Sequence, residues 1–497
     1  MMRLARGQKF LALFISGALL PLALAPFHLW PIAIIAMAVL FRNLQEQTVK
    51  QALVKSLVFG FGIFFAGASW VYISIHEHGF IPAPLALLAT CLFCLFIALL
   101  FALPFTLSAL IPQKPASWLI GLPAIWVLSE WFRSWAFTGF PWLYSGYIHT
   151  ETWLSGWAPI GGVMWLSFLT ALAAVLLSLI SQRRIKQRSV KISLAVMLLA
   201  TVSGYFLQHL NWTVPTGKNL SVVLVQPNTD QQKKWVYTEL QGILQQLRDQ
   251  TEPHWGADII VWPEAAIPTT PKNVWRILDE LDQQAEVNQT ALLTGIPTYS
   301  SSNQVFYNSV MLLGENRGQY NKTRLVPFGE YVPFAAQLRG LIRFFNLPMS
   351  FFSLGDPNQP PFDIAGEKVA TAICYEIVYP NLVAAMAGEA TMLLTVSNDA
   401  WFGRSIAPRQ HMQMAQMRAL ENAKPMMRGT NNGVTALVDH RGEITASIEQ
   451  FSAGALAGFI APRTGQTLFS QTGSWPIVIL SLLICGGLIV RQRTAAA

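Results

Sequence analysis

Long apolar stretches alternate with short polar connections over roughly the first 217 residues of the chain. A helix rises about 1.5 Å per residue, so about 20 apolar residues cross the hydrocarbon core of a bilayer. The pattern predicts about seven membrane-spanning helices in residues 1–217, of which the first two are short, and an eighth near the C-terminus. The predicted spans are 10–25, 31–41, 56–75, 84–111, 118–132, 160–180, 192–210 and 475–490.

Basic residues occupy every second connection between these predicted spans. They are Arg3, Arg6 and Lys9 before the first span, Arg42, Lys50 and Lys55 before the third, Lys114 before the fifth, and Arg183, Arg184, Lys186, Arg188 and Lys191 before the seventh. The opposite connections hold one basic residue, Arg133, at a margin. Because short basic loops stay in the cytoplasm, both termini are predicted there, and the segment between spans seven and eight outside it.

The composition agrees with a membrane protein. Hydrophobic residues make up 53% of the 497 residues and charged residues 12%, whereas about 25% charged residues are usual in soluble domains. This excludes a wholly soluble enzyme, a disordered chain and a nucleic-acid-binding protein. The net charge of +8 comes mostly from the connections predicted to be cytoplasmic.

Two charged residues near the end of the fifth predicted span, Glu130 and Arg133, are three positions apart. This spacing predicts an i,i+3 ion pair at the level of the lipid headgroups. A role in substrate binding is the alternative, since charges inside a membrane are costly.

Residues 218–465 have regular charges and short β-rich stretches, and they predict an external α/β domain with a mixed sheet covered by helices. Residues 466–497 follow as the last span and a cytoplasmic tail. The predicted strands are 220–226, 258–262, 291–296, 306–313, 368–373, 391–396, 433–438 and 443–447. The predicted helices are 235–250, 274–288, 381–389 and 409–423.

One apolar stretch of this domain, 341–352, is too short to cross a membrane. It is either a buried core segment or an arm that enters the membrane surface beside the active site.

The cysteines indicate where chemistry can occur. Cys91, Cys94 and Cys485 lie in predicted spans, so Cys374 is the one cysteine of the external domain. It directly follows a predicted strand, and a lone thiol there would stand at a sheet edge with backbone N–H groups close by. This placement favours a nucleophile.

Two other residues lie in comparable settings. Glu264 follows a strand in the segment Trp262-Pro263-Glu264, and Lys322 precedes the segment PFGEY at 327–331. Taken alone, such a Glu is usually the first residue of a helix and such a Lys a solvated charge.

The external domain resembles the nitrilase superfamily of carbon-nitrogen hydrolases. The resemblance lies in three segments and their order, namely WPE at 262–264, the Lys322 loop with PFGEY, and CYE at 374–376. The resemblance implies an α-β-β-α sandwich in which Glu264 is the general base, Lys322 the cation that stabilises an oxyanion, and Cys374 the nucleophile. A nearby Lys would favour the thiolate, and the Glu would take the proton during attack. No metal or organic cofactor is implied.

The same resemblance assigns supporting or substrate-binding roles to further residues. They are Trp235, Glu330, Tyr375 and Glu376. The segments 397–402 and 418–421 also resemble the superfamily and are expected to support the structure.

With its predicted spans, nearly the whole chain is similar to the branch of this superfamily that acylates lipoproteins in the bacterial inner membrane. This implies transfer of a fatty acyl chain from the sn-1 position of a phospholipid, through a thioester, to the α-amine of diacylglyceryl-cysteine on an apolipoprotein. The alternatives are a membrane-anchored amidase that uses water and a transporter or scaffold whose external domain binds lipid. Membrane and lipids are the expected partners, and nucleic acid is not.

Overall fold

A computed structural model of the chain describes residues 6–331 and 351–495. The chain separates into two compact units, a helical unit and an α/β unit. The helical unit comprises residues 1–72, 84–210 and 472–497, and the α/β unit comprises residues 73–83 and 211–471. The predicted arm at 341–352 lies outside the described residues, except for its last two.

The helical unit contains long apolar helices joined by short turns. Its main helices are Arg6–Leu19, Pro31–Asn43, Val49–Ala68, Ala83–Ala102, Pro115–Trp135, Ala158–Ser181, Arg188–Leu207 and Trp475–Thr494. Within the described residues, five helical segments are long and apolar enough to cross a membrane by length and composition. The predicted number of eight spans stays a prediction.

Glu130 and Arg133 are 1% exposed inside the helical unit. Glu130 accepts hydrogen bonds from the Trp126 indole and from the Ser145 backbone and hydroxyl. Arg133 donates to the carbonyls of Phe140 and Trp142. A polar group removed from water needs such partners, so both residues hold the loop that follows their helix, and their predicted pairing at the level of the lipid headgroups stays a prediction.

The α/β unit contains fourteen described strands. They are β1 (Val214–Pro215), β2 (Leu220–Gln226), β3 (Ile259–Val261), β4 (Ala291–Ser300), β5 (Val305–Leu313), β6 (Gly318–Asn321), β7 (Phe362–Ile364), β8 (Glu367–Ile373), β9 (Met392–Ser397), β10 (Met426–Thr430), β11 (Thr435–Val438), β12 (Ile444–Ile448), β13 (Gly454–Ile460) and β14 (Arg463–Thr464).

These strands form two six-stranded sheets and one small pair. The first sheet has the order β13-β2-β3-β4-β5-β6, the second β12-β11-β10-β9-β8-β7, and β1 pairs with β14. Parallel pairs such as β2–β3 and β8–β9 stand beside antiparallel hairpins such as β4–β5. The mixed pairing and the hairpin between β4 and β5 confirm the prediction, but the strands divide between two sheets.

The two sheets pack face to face, with helices on both outer faces. Alternate residues of β2 serve different cores, because successive side chains of a strand point to opposite faces. Val222 and Leu224 belong to the core between the sheets, whereas Val223 and Val225 pack under helices Leu240–Thr251 and Trp275–Val287. The helices Pro380–Ala387 and Ala407–Asn422 contact the second sheet. The result is the expected order of helix, sheet, sheet and helix.

Six strands were not predicted from the sequence, namely the short β1 and β14 and the longer β6, β7, β10 and β13. Strand β10 has the sequence MMRGT, in which Arg428 and Gly429 conceal the β pattern although all five residues are buried. It forms because it pairs in parallel with β9 and antiparallel with β11. Such pairing with distant segments overrides local propensity.

Candidate active site

Glu264 lies just beyond the end of β3, with its side chain buried. Its Oε1 accepts hydrogen bonds from Asn308 Nδ2 at 2.8 Å and Lys322 Nζ at 3.4 Å. Its Oε2 accepts one from the Asn398 backbone N–H at 2.8 Å. Gly295 on β4 permits this placement, because a Cβ there would stand 2.7 Å from the Cα of Glu264.

Lys322 follows β6 and its backbone is held on both sides. Its N–H donates to the Asn308 carbonyl, and its own carbonyl accepts from Gly355, each at 2.8 Å. The ammonium group is 1% exposed and pairs with Glu330 at 2.8 Å and with Glu264 at 3.4 Å. Burial lowers the pKa of Lys322, but the two carboxylates outweigh burial and hold this pKa above its ordinary value, so the side chain is a permanent cation.

Glu330 completes this cluster. Its Oε1 accepts from Lys322 Nζ and from Asn308 Nδ2, both at 2.8 Å. Its Oε2 accepts from the Val326 N–H at 2.8 Å. One amide, that of Asn308, therefore bridges the two carboxylates beside the Lys322 cation.

Cys374 is the first residue of a short helical turn, Cys374–Val378, that follows β8. Its φ of 52° is left-handed, a conformation that costs a non-glycine residue free energy. Burial, then the Glu264 carboxylate, raises the pKa of the Cys374 thiol well above its ordinary value, although Lys322 acts in the opposite direction. Lys322 thus favours the thiolate as expected, while burial and the carboxylates favour the thiol, so the proton must be removed during attack.

Glu376, two residues further on, binds the Lys322 loop to the strand that carries Cys374. Its carboxylate is fully buried and accepts from Tyr320, Thr323, Arg324 and Ile373. Because most of these donors are backbone groups near the site, Glu376 fixes the geometry of both segments.

Tyr375 is buried beside Cys374, and its ring contacts that of Tyr379 edge-on with 5.4 Å between centroids. It therefore packs at the turn that presents the nucleophile candidate.

Trp235 is partly exposed, and its indole N–H has no hydrogen-bond partner among the residues that the structure describes. Its neighbour Lys234 is buried and donates to the backbone carbonyl of Glu264 at 3.0 Å. Burial lowers the pKa of Lys234 to about 8, while Glu264 and Cys374 act to raise it. A second cation thus lies in the electrostatic field of the site.

The turn after β9 provides the Asn398 N–H that donates to Glu264. In the same turn, the carbonyl oxygens of Ala400 and Trp401 contact residues of the segment 73–83. His78 Nε2 lies 3.1 Å from the Ala400 oxygen, and the Ser74 hydroxyl donates to the Trp401 oxygen at 2.7 Å. Residues from an early part of the chain therefore brace the turn that holds Glu264.

Sequence reasoning missed Asn308, Lys234 and the role of the Asn398 backbone. Asn308 is a polar residue within an apolar strand, and such a residue signals a required hydrogen bond when it is buried. Lys234 stands in a polar run, where nothing marks it as buried. In the described part of the chain, His, Cys, Asp and Glu form no group of three that could hold a metal ion.

The paired sheets, with buried Glu264 and Lys322 and a partly exposed Cys374, agree with the carbon-nitrogen hydrolase class, and the carbon-nitrogen hydrolase family model matches residues 222–467. The model of the apolipoprotein N-acyltransferase N-terminal domain matches residues 16–176. The chain belongs to the apolipoprotein N-acyltransferase family, as its similarity to full-length relatives establishes.

Three relatives, each called apolipoprotein N-acyltransferase, illustrate this similarity. That of Azotobacter vinelandii is 43% identical over 489 residues, which cover 97% of this chain and 95% of the relative. That of Pseudomonas syringae is 42% identical and covers 96% of both chains. That of Pseudomonas aeruginosa is 43% identical and covers 96% of this chain and 95% of the relative.

Proposed function

We propose that the chain transfers a fatty acyl group from the sn-1 position of a phospholipid to the α-amine of diacylglyceryl-cysteine on an apolipoprotein. Cys374 carries the acyl group as a thioester between two half-reactions. The observation that carries this proposal is the buried Lys322 ammonium group, 3.4 Å from Glu264 and 2.8 Å from Glu330, in the domain whose Cys374 begins the turn after β8. Membership of the acyltransferase family supplies the classes of donor and acceptor.

In the first half-reaction, Cys374 Sγ attacks the ester carbonyl while Glu264 takes the thiol proton. A thiol needs this base, because the thiolate is the effective nucleophile and the site does not favour it at rest. The oxyanion that forms faces the Lys322 cation. Its collapse breaks the ester C–O bond, the proton passes from Glu264 to the leaving oxygen, and a lysophospholipid departs.

In the second half-reaction, the neutral α-amine of the lipoprotein attacks the thioester carbonyl. Glu264 takes a proton from the attacking nitrogen, and Lys322 again faces the oxyanion. When the C–S bond breaks, the same proton returns to Cys374 Sγ. An amide is formed, the thiol is restored, and the reaction requires no metal or organic cofactor.

Glu330 and Asn308 hold Lys322 and Glu264 in position. Glu330 holds Lys322 at 2.8 Å, and the Asn308 amide fixes the spacing between Glu330 and Glu264. Glu376 and Tyr375 hold the nucleophile turn, and Trp235 is a substrate-contacting residue. Prearranged charges are effective here because they need no reorganisation during the reaction.

The reaction takes place on the periplasmic side of the inner membrane, and both termini are cytoplasmic. The alternating basic connections support this orientation. A reporter that is active only outside the cytoplasm, fused after residue 300 or at the C-terminus, tests it. Activity is expected for the first fusion and not for the second, and the reverse result would overturn the orientation.

Intact mass measurement tests the chemistry. Purified wild-type protein and Cys374→Ala are incubated with phospholipid, and a gain of one fatty acyl mass is expected for the wild type alone. A diacylglyceryl lipopeptide should then discharge the adduct and become N-acylated. Discharge by water regardless of the lipopeptide would indicate a hydrolase, and no adduct would remove Cys374 from the proposed role.

A further inference from the structure

His411 approaches the nucleophile turn from the helix Ala407–Asn422. Its side chain is 1% exposed, and its Nε2 lies 3.2 Å from the backbone carbonyl oxygen of Cys374. A carbonyl oxygen can only accept a hydrogen bond. With its proton on Nε2, His411 donates to this carbonyl.

Two buried charged residues fix the orientation of the imidazole. Its Nδ1 lies 3.0 Å from Asp399 Oδ1 and 3.1 Å from a guanidinium nitrogen of Arg428. Arg428 also pairs with Asp399 Oδ2 at 2.9 Å, and both of these side chains are 0% exposed. With the proton on Nε2, Nδ1 accepts from Arg428, and the ion pair with Asp399 holds Arg428 in place.

Gly433 packs closely against Asp399. A Cβ at Gly433 would stand 2.8 Å from both the Cβ and the Cγ of Asp399. Asp399 lies in the turn after β9, His411 in the helix Ala407–Asn422 and Arg428 in β10. Three separate elements therefore converge on one hydrogen bond to Cys374.

The backbone of Cys374 needs this hydrogen bond because its conformation is unfavourable. Its φ of 52° is in the left-handed region, and it is not a glycine. Non-glycine residues keep such a conformation only where surrounding contacts hold them, often at active sites. The conformation of this residue determines where its Sγ points.

We propose that His411, oriented by Asp399 and Arg428, is a positioning residue that holds the left-handed backbone of Cys374 through the Cys374 carbonyl and so aims the thiol at the substrate ester. In this role His411 acts through the backbone carbonyl of Cys374 and not as a proton carrier. This inference rests on the proposed role of Cys374 as the nucleophile.

Three variants of the full-length protein in detergent test the proposal. His411→Leu removes the donor but keeps a buried side chain, and His411→Gln places an amide N–H near the position of Nε2. Gln416→Leu is the matched control, since Gln416 lies on the same helix, is buried, and donates to the Gly442 carbonyl at 2.9 Å. For each variant, the rate of acyl adduct formation is measured by intact mass at several phospholipid concentrations, and a thermal melt reports folding.

We expect His411→Leu to lower the maximal acylation rate about tenfold or more, which corresponds to the loss of one hydrogen bond. The phospholipid concentration for half-maximal rate should change less than about twofold. His411→Gln should recover part of the rate, and Gln416→Leu should keep the wild-type rate. A general loss of packing would not produce this separation of rate from affinity together with rescue.

A wild-type rate in His411→Leu would overturn the proposal. So would equal losses in His411→Leu and Gln416→Leu, or a His411→Gln variant that folds but is no faster than His411→Leu. Absence of an adduct in the wild type would instead refute the proposed function. The two failures are therefore distinguishable.

Discussion

Removal of the Lys322 charge is the perturbation whose consequence the structure defines most closely. Lys322→Met keeps a long buried side chain but leaves Glu264 and Glu330 joined by the Asn308 amide without a cation. At an effective dielectric constant of about 20, two charges at the 2.8 Å of the Lys322–Glu330 pair attract by about 6 kcal/mol. Desolvation of both groups offsets much of this attraction in the intact pair.

The loss on removing one partner is nevertheless large, because a carboxylate then remains buried and unpaired. We expect Lys322→Met to reduce the free energy of unfolding by about 3 to 5 kcal/mol. The double variant Lys322→Met/Glu330→Gln removes the excess charge and should recover a large part of this loss. Denaturant titration of the detergent-solubilised protein, followed by Trp fluorescence, measures both values.

The pH dependence has a definite sign. In Lys322→Met, crowded negative charge makes the folded state bind a proton more readily than the unfolded chain does. Stability then falls as pH rises, because unfolding releases that proton. We expect the deficit of Lys322→Met against the wild type to be smaller at pH 5 than at pH 8. A deficit that is independent of pH and unaffected by Glu330→Gln would refute the electrostatic reasoning.

Three further substitutions test other parts of the site. Gly295→Ala should abolish acyl-enzyme formation, because its Cβ would clash with the Pro263 carbonyl oxygen and the Glu264 backbone. Gly242→Ala is the control, since nothing lies within 4 Å of its Cβ. Intact mass should show the acyl adduct in the control and not in Gly295→Ala. The pKa of Lys234 is about 8, so the rate of acylation should decline above about pH 8 as this residue loses its charge. Lys234→Arg should move the decline to higher pH. An unchanged pH profile would show that the charge of Lys234 does not support acylation. Asn308→Leu removes the amide between the two carboxylates and should slow acylation about tenfold or more; a wild-type rate would argue against that bridge.

The sequence predicts those parts of the fold that depend on local pattern. Strand β2 is an apolar, β-branched run, and its predicted bounds at 220–226 match the structure. Strand β10 was missed because Arg428 is stabilised by Asp399, a partner 29 residues away that no local pattern reveals. The same limit applies to Glu130 and Arg133, because several of their hydrogen-bond partners lie in the loop that follows their helix.

The candidate site shows a similar division. Glu264, Lys322 and Cys374 each stand at the end of a strand, so their neighbouring sequence marks them. Asn308 lies within a strand, and Lys234 is buried only because the chain folds over it. The protonation state of Cys374 could not be predicted, since it depends on the balance between burial, three carboxylates and one cation.

The segment at 73–83 makes the α/β unit discontinuous along the gene. Ser74 and Trp401, which it joins, are 327 positions apart. A fragment cut at the apparent domain boundary would contain every proposed catalytic residue but would lack the donors for Ala400 and Trp401. Expression of the α/β portion as a soluble piece would thus yield a protein with an unsupported turn next to Glu264, and domain swaps between relatives would need to exchange both segments together.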